Sequence, residues 1–190
     1  LWVTANSGVT RYRRRGRVLS DSTNMVRPVK GYSTHLLKDS KGRIWVTGTR
    51  GIGYFKDGAV VTVDTTTYYN WIIEIQGQVW MGGDGLAKFD GNRLQFFKPS
   101  FLRDVDVRGI LPGSGLDLWI STNKGLINYH PDLGNYRIYT HVDGIAGNEF
   151  NYNSAFSSSR SICASFRLTD TSVDTPFSCI VIPYSLSAAA

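Results

Sequence analysis

The chain has 190 residues, 21 Lys+Arg against 15 Asp+Glu, 42% apolar residues, 13% aromatics and 19% charged residues. This is enough to build a packed core in one large or two small domains, and so few charges argue against long solvated helices. No run of 18 or more apolar residues occurs, so no helical membrane span is expected.

The net charge of +6 arises entirely before residue 157. Part of it is one cluster: Arg11, Arg13, Arg14, Arg15 and Arg17. Such a cluster suits phosphates or acidic sugars, but the other basic residues are dispersed. A solvated hairpin is the preferred reading, and no nucleic-acid partner is expected. The start, Leu1-Trp2-Val3-Thr4, has no Met and no basic-then-apolar leader, and reads as cut from a longer protein.

Four copies of one phrase follow in chain order, centred on Trp2, Trp45, Trp80 and Trp119, at spacings of 43, 35 and 39 residues. The first copy is Leu1-Trp2-Val3-Thr4, then Gly8-Val9 and Tyr12. The second is Asp39-Ser40-Lys41-Gly42-Arg43-Ile44-Trp45-Val46, then Gly51-Ile52 and Tyr54-Phe55. The third is Gly77-Gln78-Val79-Trp80-Met81, then Gly85-Leu86 and Phe89. The fourth is Leu118-Trp119-Ile120-Ser121-Thr122, then Gly125-Leu126 and Tyr129. The Gly follows its Trp by six, six, five and six residues.

β-branched and aromatic runs around each Trp predict strands, and the following Gly predicts a turn. Asp57-Gly58, Asp90-Gly91 and Leu133-Gly134-Asn135 predict a second turn. A further strand is expected at 59–63, 93–97 and 136–139, and another ahead of the Trp at 34–38, 71–75 and 107–111. Four strands per period of about 40 residues is the signature of a β-propeller blade. The expected fold is all-β: a partial β-propeller of about four four-stranded blades, with the repeat Trp residues in the core.

Labelled A to D outward, the strands put the Trp on B. The B–C turns and D–A connections then share one face, where ligands usually bind in propellers. The B–C turns carry Asn6-Ser7, Thr49-Arg50, Asp84 and Asn123-Lys124; the D–A connections are 20–31, 64–70, 98–106 and 140–150. Tyr68 and Tyr69 beside small polar residues suit sugar stacking, and packing between blades is the equal alternative. The candidate ligand-binding residues are Arg50, Tyr68, Tyr69, Asp84 and Lys124: stacking by the tyrosines, hydrogen bonding by the others.

Composition breaks near residue 156. Every Gly and Trp lies before it, and Cys163 and Cys179 lie after it among nine Ser in the last 34 residues. The reading divides the chain into propeller repeats over 1–156 and an atypical tail over 157–190, frameshifted, fused or disordered. The cysteine spacing argues against a zinc site and leaves disulfide pairing open.

The phrase D-x-x-G-x-[IVL]-W-[IV] followed by G-[LIV]-x-x-[YF] resembles the two-component regulator propeller repeat, most completely over 39–57. The run Asp143-Gly144-Ile145-Ala146-Gly147-Asn148-Glu149-Phe150-Asn151 resembles the segment that ends the propeller region of hybrid two-component sensors. The third and fourth copies depart from the pattern: neither has the Asp-x-x-Gly turn before its Trp. The resemblance covers roughly residues 1–156. It implies a fragment of a larger, seven-bladed ring in the periplasmic sensor region of a membrane histidine kinase. It also implies oligosaccharide as ligand, and the remaining blades or a second copy as partner.

No catalytic constellation stands out. His35, His130 and His141 lie apart, without metal-ligand spacing, and no nucleophile elbow, P-loop or dinucleotide fingerprint occurs. No cofactor, metal or catalytic residue is expected. The main reading is a sensing, ligand-binding propeller segment and not an enzyme. The alternative is a structural or protein-interaction propeller. A minor third is a carbohydrate-active enzyme using Asp84 and Asp106 as paired carboxylates.

Overall fold

The computed structural model describes all residues except 6, 7, 16, 17, 26, 27, 146, 158–160, 167–177 and 184–190. The chain divides into two units, Leu1–Phe96 and Phe97–Ala190. In the first, β1 (Trp2–Ala5), β2 (Gly8–Arg15) and β3 (Val18–Met25) form one sheet. A second holds β4 (Lys30–Lys38), β5 (Ile44–Lys56) and β6 (Ala59–Asp64). A third holds β7 (Tyr69–Ile75), β8 (Gln78–Gly83), β9 (Gly85–Phe89) and β10 (Leu94–Phe97). The second unit has β11 (Val107–Pro112), β12 (Leu118–Thr122), β13 (Gly125–Tyr129) and β14 (Tyr136–Tyr139) in one sheet. Its other sheet is β15 (Phe150–Ser157), β16 (Ser161–Phe166) and β17 (Ser178–Pro183). Within each sheet the strands follow one another in sequence order, and no α-helix occurs among the described residues. These sheets are the blades of a partial β-propeller.

The structure keeps the B–C turn of the second blade and differs from expectation at two places. The B and C strands of the second blade both lie in β5, which pairs with β4 up to Arg50 and with β6 from Ile52 and folds back between them: the rings of Trp45 and Tyr54 are 4.7 Å apart and Gly51 sits at φ 110°. Arg50, at the expected turn, is also paired with Lys30. The first D–A connection starts later than residue 20, because β3 stays paired to β2 as far as Met25 opposite Val9. A fifth sheet is present: β16 pairs with β15 and with β17. Its register sets Cys163 opposite Val181 and Cys179 opposite Ser165. The Asn6-Ser7 turn lies outside the described residues. Arg11, Arg13 and Arg15 are exposed along β2, as in a solvated hairpin; the Arg14 side chain and Arg17 lie outside the described residues.

Blade-to-blade packing forms the core of the first unit. Val9, Val29, Ile44, Val46 and Phe55 make one cluster, with Trp2 stacked on Phe55 at 5.2 Å. Trp45, Ile52, Tyr69, Ile72, Val79, Met81, Ala87 and Phe89 make the next. The strand alternation that buries one face per strand thus fills the space between neighbouring sheets.

Asp39 explains the Asp-x-x-Gly-x-x-Trp phrase. Its carboxylate accepts from the Lys41 N–H (3.0 Å), the Arg43 N–H (2.8 Å), Arg43 Nε (2.5 Å) and the Trp45 indole N–H (2.7 Å). Gly42 closes the turn at φ 78°. The Arg43 guanidinium then lies over the rings of Trp45, Tyr54 and Phe89, 5.0, 5.3 and 5.2 Å from their centroids. Burial pushes the Asp39 carboxyl up, but the bonds from Trp45 and Arg43 and the guanidinium charge outweigh it and hold its pKa below the ordinary value.

The fourth blade lacks this device. Gly113 stands six residues before Trp119, where Asp39 stands before Trp45. Trp119 Nε1 is buried without a partner among the described residues. In the third blade the A–B turn shrinks to Gln76 and Gly77, at φ 51° and 74°, a two-residue hairpin with both central residues left-handed. Glu74 reaches back from there to the second blade and accepts from Ser40 N (2.7 Å) and Ser40 Oγ (2.5 Å).

Trp45→Phe forfeits a bond to a buried carboxylate and Trp119→Phe forfeits none, so the first should cost about 2 kcal/mol more. Urea denaturation followed by circular dichroism measures both. Equal costs would show that the indole bond is not what the phrase provides.

Candidate functional site

The candidate site is built at the strand ends where D–A connections meet B–C turns. The register makes its parts comparable. Leu37, Ile73 and Leu111 each lie opposite the repeat Trp of their blade. Counting back from them, Tyr32, Tyr68 and Asp106 hold the same place at the start of the innermost strand.

In the second blade the Tyr32 N–H donates to Thr49 Oγ1 at 3.1 Å, and the Tyr32 ring is 60% exposed. In the connection that follows, Asp64 accepts from Thr66 N (3.1 Å), Thr66 Oγ1 (2.8 Å) and Thr67 N (3.1 Å). Burial pushes the Asp64 carboxyl up, but these bonds win and its pKa falls below the ordinary value. The loop so fixed hands the Thr67 carbonyl to the Gly51 N–H (2.8 Å) and the Tyr68 carbonyl to the Asp84 N–H (3.3 Å). A side chain at Gly83 would collide with Tyr68, whose carbonyl oxygen lies 2.2 Å from where its Cβ would sit. This close approach is why glycine occupies that place.

The structure therefore brings Arg50, Tyr68 and Asp84 to one corner of the first unit. Each is within a residue of those two main-chain bonds; Arg50 and Asp84 are exposed and Tyr68 is half-buried. The corner offers a cation, an anion and an aromatic ring at the ends of rigid strands, a set able to hydrogen-bond and stack on a sugar.

Tyr69 corrects the expectation. It is 1% exposed and belongs to the core cluster with Trp45 and Ile72, and burial pushes its phenol pKa strongly up. A ring so enclosed has no face for a ligand; strand alternation turns it to the side opposite its neighbours in the chain. Lys124 is exposed in the second unit, where the corresponding corner is built by Asp106 and Asn123. There the Asp106 N–H donates to Asn123 Oδ1 (2.9 Å) and the Asn123 N–H to the Asp106 carbonyl (3.3 Å). Thr122 Oγ1 fixes the Lys124 N–H at 3.0 Å. Asp84 and Asp106 thus belong to different units.

Sequence reasoning missed Tyr32. Its signal was present: Gly31-Tyr32 stands in the second copy where Thr67-Tyr68 stands in the third, but the first D–A connection ended one residue short of it.

The three histidines have local roles. The His35 ring lies 4.7 Å from that of Trp71. His130 Nδ1 accepts from the Leu133 N–H at 3.3 Å. His141 N donates to Asn148 Oδ1 at 2.7 Å, and the Asn148 amide meets His141 Nδ1 at 3.1 Å. With the Thr140–Asp143 capping box and Gly144 at φ 90°, this bond shapes the Asp-Gly-x-x-x-Asn run and delivers buried Phe150 to β15.

No family model matches the sequence. Among curated proteins the chain is similar to Histidine kinase P4 of Formosa agariphila, with 39% identity over 49 residues, 26% of this chain and 4% of that protein. Among solved structures it resembles the extracellular domain of the hybrid two-component system BT3049 from B. thetaiotaomicron. The TM-score is 0.71 at 20% identity, covering 86% of this chain and 24% of that one. The extracellular domain of the hybrid two-component system BT4673 from the same organism gives 0.67 at 16%, over the same 86% and 24%. YCF48, solved bound to D1 peptide, gives 0.59 at 16%, covering 86% of this chain and 57% of that one. The chain spans about a quarter of the sensor domains it matches, and the likeness is one of fold: the propeller of two-component sensor ectodomains. No helix among the described residues is long and apolar enough to cross a membrane.

Proposed function

We propose that this chain is a ligand-sensing, periplasmic propeller segment of a two-component sensor, which binds oligosaccharide and does not turn it over. The observation that carries the reading is the corner where Arg50, Tyr68 and Asp84 meet on loops tied by main-chain bonds. Exposed Tyr32 on the preceding blade extends the set of contacts, and Lys124 stands at the equivalent corner of its own blade in the second unit. Recognition belongs to these side chains, and phosphoryl transfer to other modules of the sensor. The remaining blades of the ring or a second copy of the sensor complete the assembly.

Titration calorimetry of the chain against neutral and uronate-containing oligosaccharides, with a reducing-end assay on the same mixtures, tests this. At least one oligosaccharide should bind reversibly with no new reducing ends. Alanine at Arg50, Tyr68 and Asp84 should each weaken it by about tenfold, the loss of one good polar or stacking contact. New reducing ends would move the protein to the enzyme reading. Unchanged affinity in all three variants would move the site elsewhere.

The peptide-bound propeller among the structural neighbours favours a second reading, a surface for protein. It predicts no glycan affinity and a peptide ligand on the same face.

A further inference from the structure

The innermost strands of three blades carry the same irregularity. In β4, β7 and β11 one extra residue interrupts the ladder three places before the residue opposite the repeat Trp. The pairings are Ser33↔Gly48 then His35↔Thr47, Tyr69↔Gly83 then Trp71↔Gly82, and Val107↔Thr122 then Gly109↔Ser121. The bulged residues are Thr34, Asn70 and Arg108, all polar. Bulges of this kind re-aim a side chain and gather next to binding sites.

The three differ in how their polar atoms are used. Thr34 Oγ1 is consumed by the fold, 2.8 Å from both Thr47 Oγ1 and the Tyr69 carbonyl oxygen. Asn70 is 2% exposed, and neither atom of its amide has a partner among the described residues. Arg108 is 8% exposed, and its Nε and Nη1 are buried without a partner among the described residues. The acidic neighbour recorded among the described residues is Asp106, 3.6 Å from Nη2, too long for a hydrogen bond and on a side chain that is 42% exposed. The Tyr152 ring, on β15 of the same unit, lies over the guanidinium with its centroid 3.6 Å from the central carbon. Tyr152 itself is 48% exposed.

A guanidinium stays charged in a protein, so burial cannot be relieved by losing the proton. A buried charge with N–H groups unmatched is costly, and such groups in native structures are met by an ion, water or ligand. We infer that Arg108, roofed by Tyr152, is the subsite for the anionic group of an acidic oligosaccharide. The sugar's carboxylate or sulfate supplies the acceptors the fold withholds. It enters where the half-exposed Tyr152 ring swings aside, and the ring then offers its face to the sugar. This inference rests on the oligosaccharide reading above and names the ligand class within it.

The test uses the whole chain and trigalacturonate, a disulfated carrageenan disaccharide and the carboxyl-reduced trisaccharide as probes, read by calorimetry and thermal shift. Wild type should bind an acidic probe at least about tenfold more tightly than the reduced one, the span of one charge-assisted contact. Arg108→Met should abolish that preference. Its own unfolding temperature should not fall, because a buried unmatched charge is replaced by an apolar chain. Trigalacturonate alone binding would assign the carboxylate, and the disulfated disaccharide alone the sulfate. Should Arg108→Met not fold, Tyr152→Leu reads the same subsite and should weaken the acidic probe by about tenfold. Equal binding of acidic and reduced probes, or an acid preference that survives these substitutions, would overturn the inference and leave the oligosaccharide reading standing. If neither these probes nor neutral oligosaccharides bind, both fall.

Discussion

Replacing Asp39 by alanine is expected to destabilise the chain by about 3–5 kcal/mol, the cost of stranding a buried cation. Arg43 is 5% exposed and enclosed by three aromatic rings; Asp39 is its partner, and also holds the turn and the Trp45 indole. Removing the carboxylate unmakes four bonds at once and leaves the guanidinium in the second blade's contact with the third. Asp39→Asn keeps the shape and loses the charge, so it should recover only part of the stability. Urea denaturation measures all three proteins. The pH dependence has a definite sign. Because the folded state holds the Asp39 pKa below its ordinary value of about 3.9, its stabilisation is complete above that value. It is lost as pH falls through the lower, folded value. Asp64 shares this direction. Asp39→Asn should therefore flatten the acid limb of the stability curve, leaving the Asp64 part. A variant whose acid limb matches wild type would mean that Asp39 is not ionised in the buried pair.

Gly51→Ala is the second large effect, expected at about 3 kcal/mol or more. Gly51, Gly85 and Gly125 sit at φ 110°, 111° and 134°, at the repeat position that ends the Trp strand's run. At Gly51 a Cβ would lie 2.0 Å from the Asp64 carbonyl oxygen and 2.9 Å from Thr65 Cα, both backbone atoms of the site-forming loop. Neither can give way without breaking the Gly51 N–H bond to Thr67. Gly42 provides the contrast: φ is 78° and nothing lies within 4 Å of its Cβ position. Gly42→Ala should cost about 1 kcal/mol, the left-handed penalty alone. Equal costs at the two positions would show that close approach at Gly51 is not what the repeat glycine provides.

Most of the fold was legible because the repeat reports it several times over. Trp, Gly and the aromatic that follows mark B, turn and C, and the flanking strands came out near 34–38, 59–63, 71–75 and 107–111. What failed had physical causes. The fifth sheet was overlooked because the tail lacks the glycine phrase, yet Ile180-Val181-Ile182 is itself a β-branched run of good strand chemistry. At the site, Arg50, Tyr68 and Asp84 were found because turn positions follow from the register. Tyr69 went astray because adjacent residues of a strand face opposite sides, and its side was set by the core around Trp45. Arg108 was invisible as a site: a lone Arg in an apolar strand becomes informative only when the bulge, the burial and the Tyr152 ring are seen together.

The account turns on which end of the strands receives ligand. Amide chemical-shift mapping of the isotopically labelled chain during titration with a bound oligosaccharide answers this directly. The account predicts shifts at Tyr32, Arg50, Gly51, Tyr68 and Asp84. Shifts confined to the opposite turns, at Ser40-Lys41, Gln76-Gly77 and Ser114-Gly115, would contradict it.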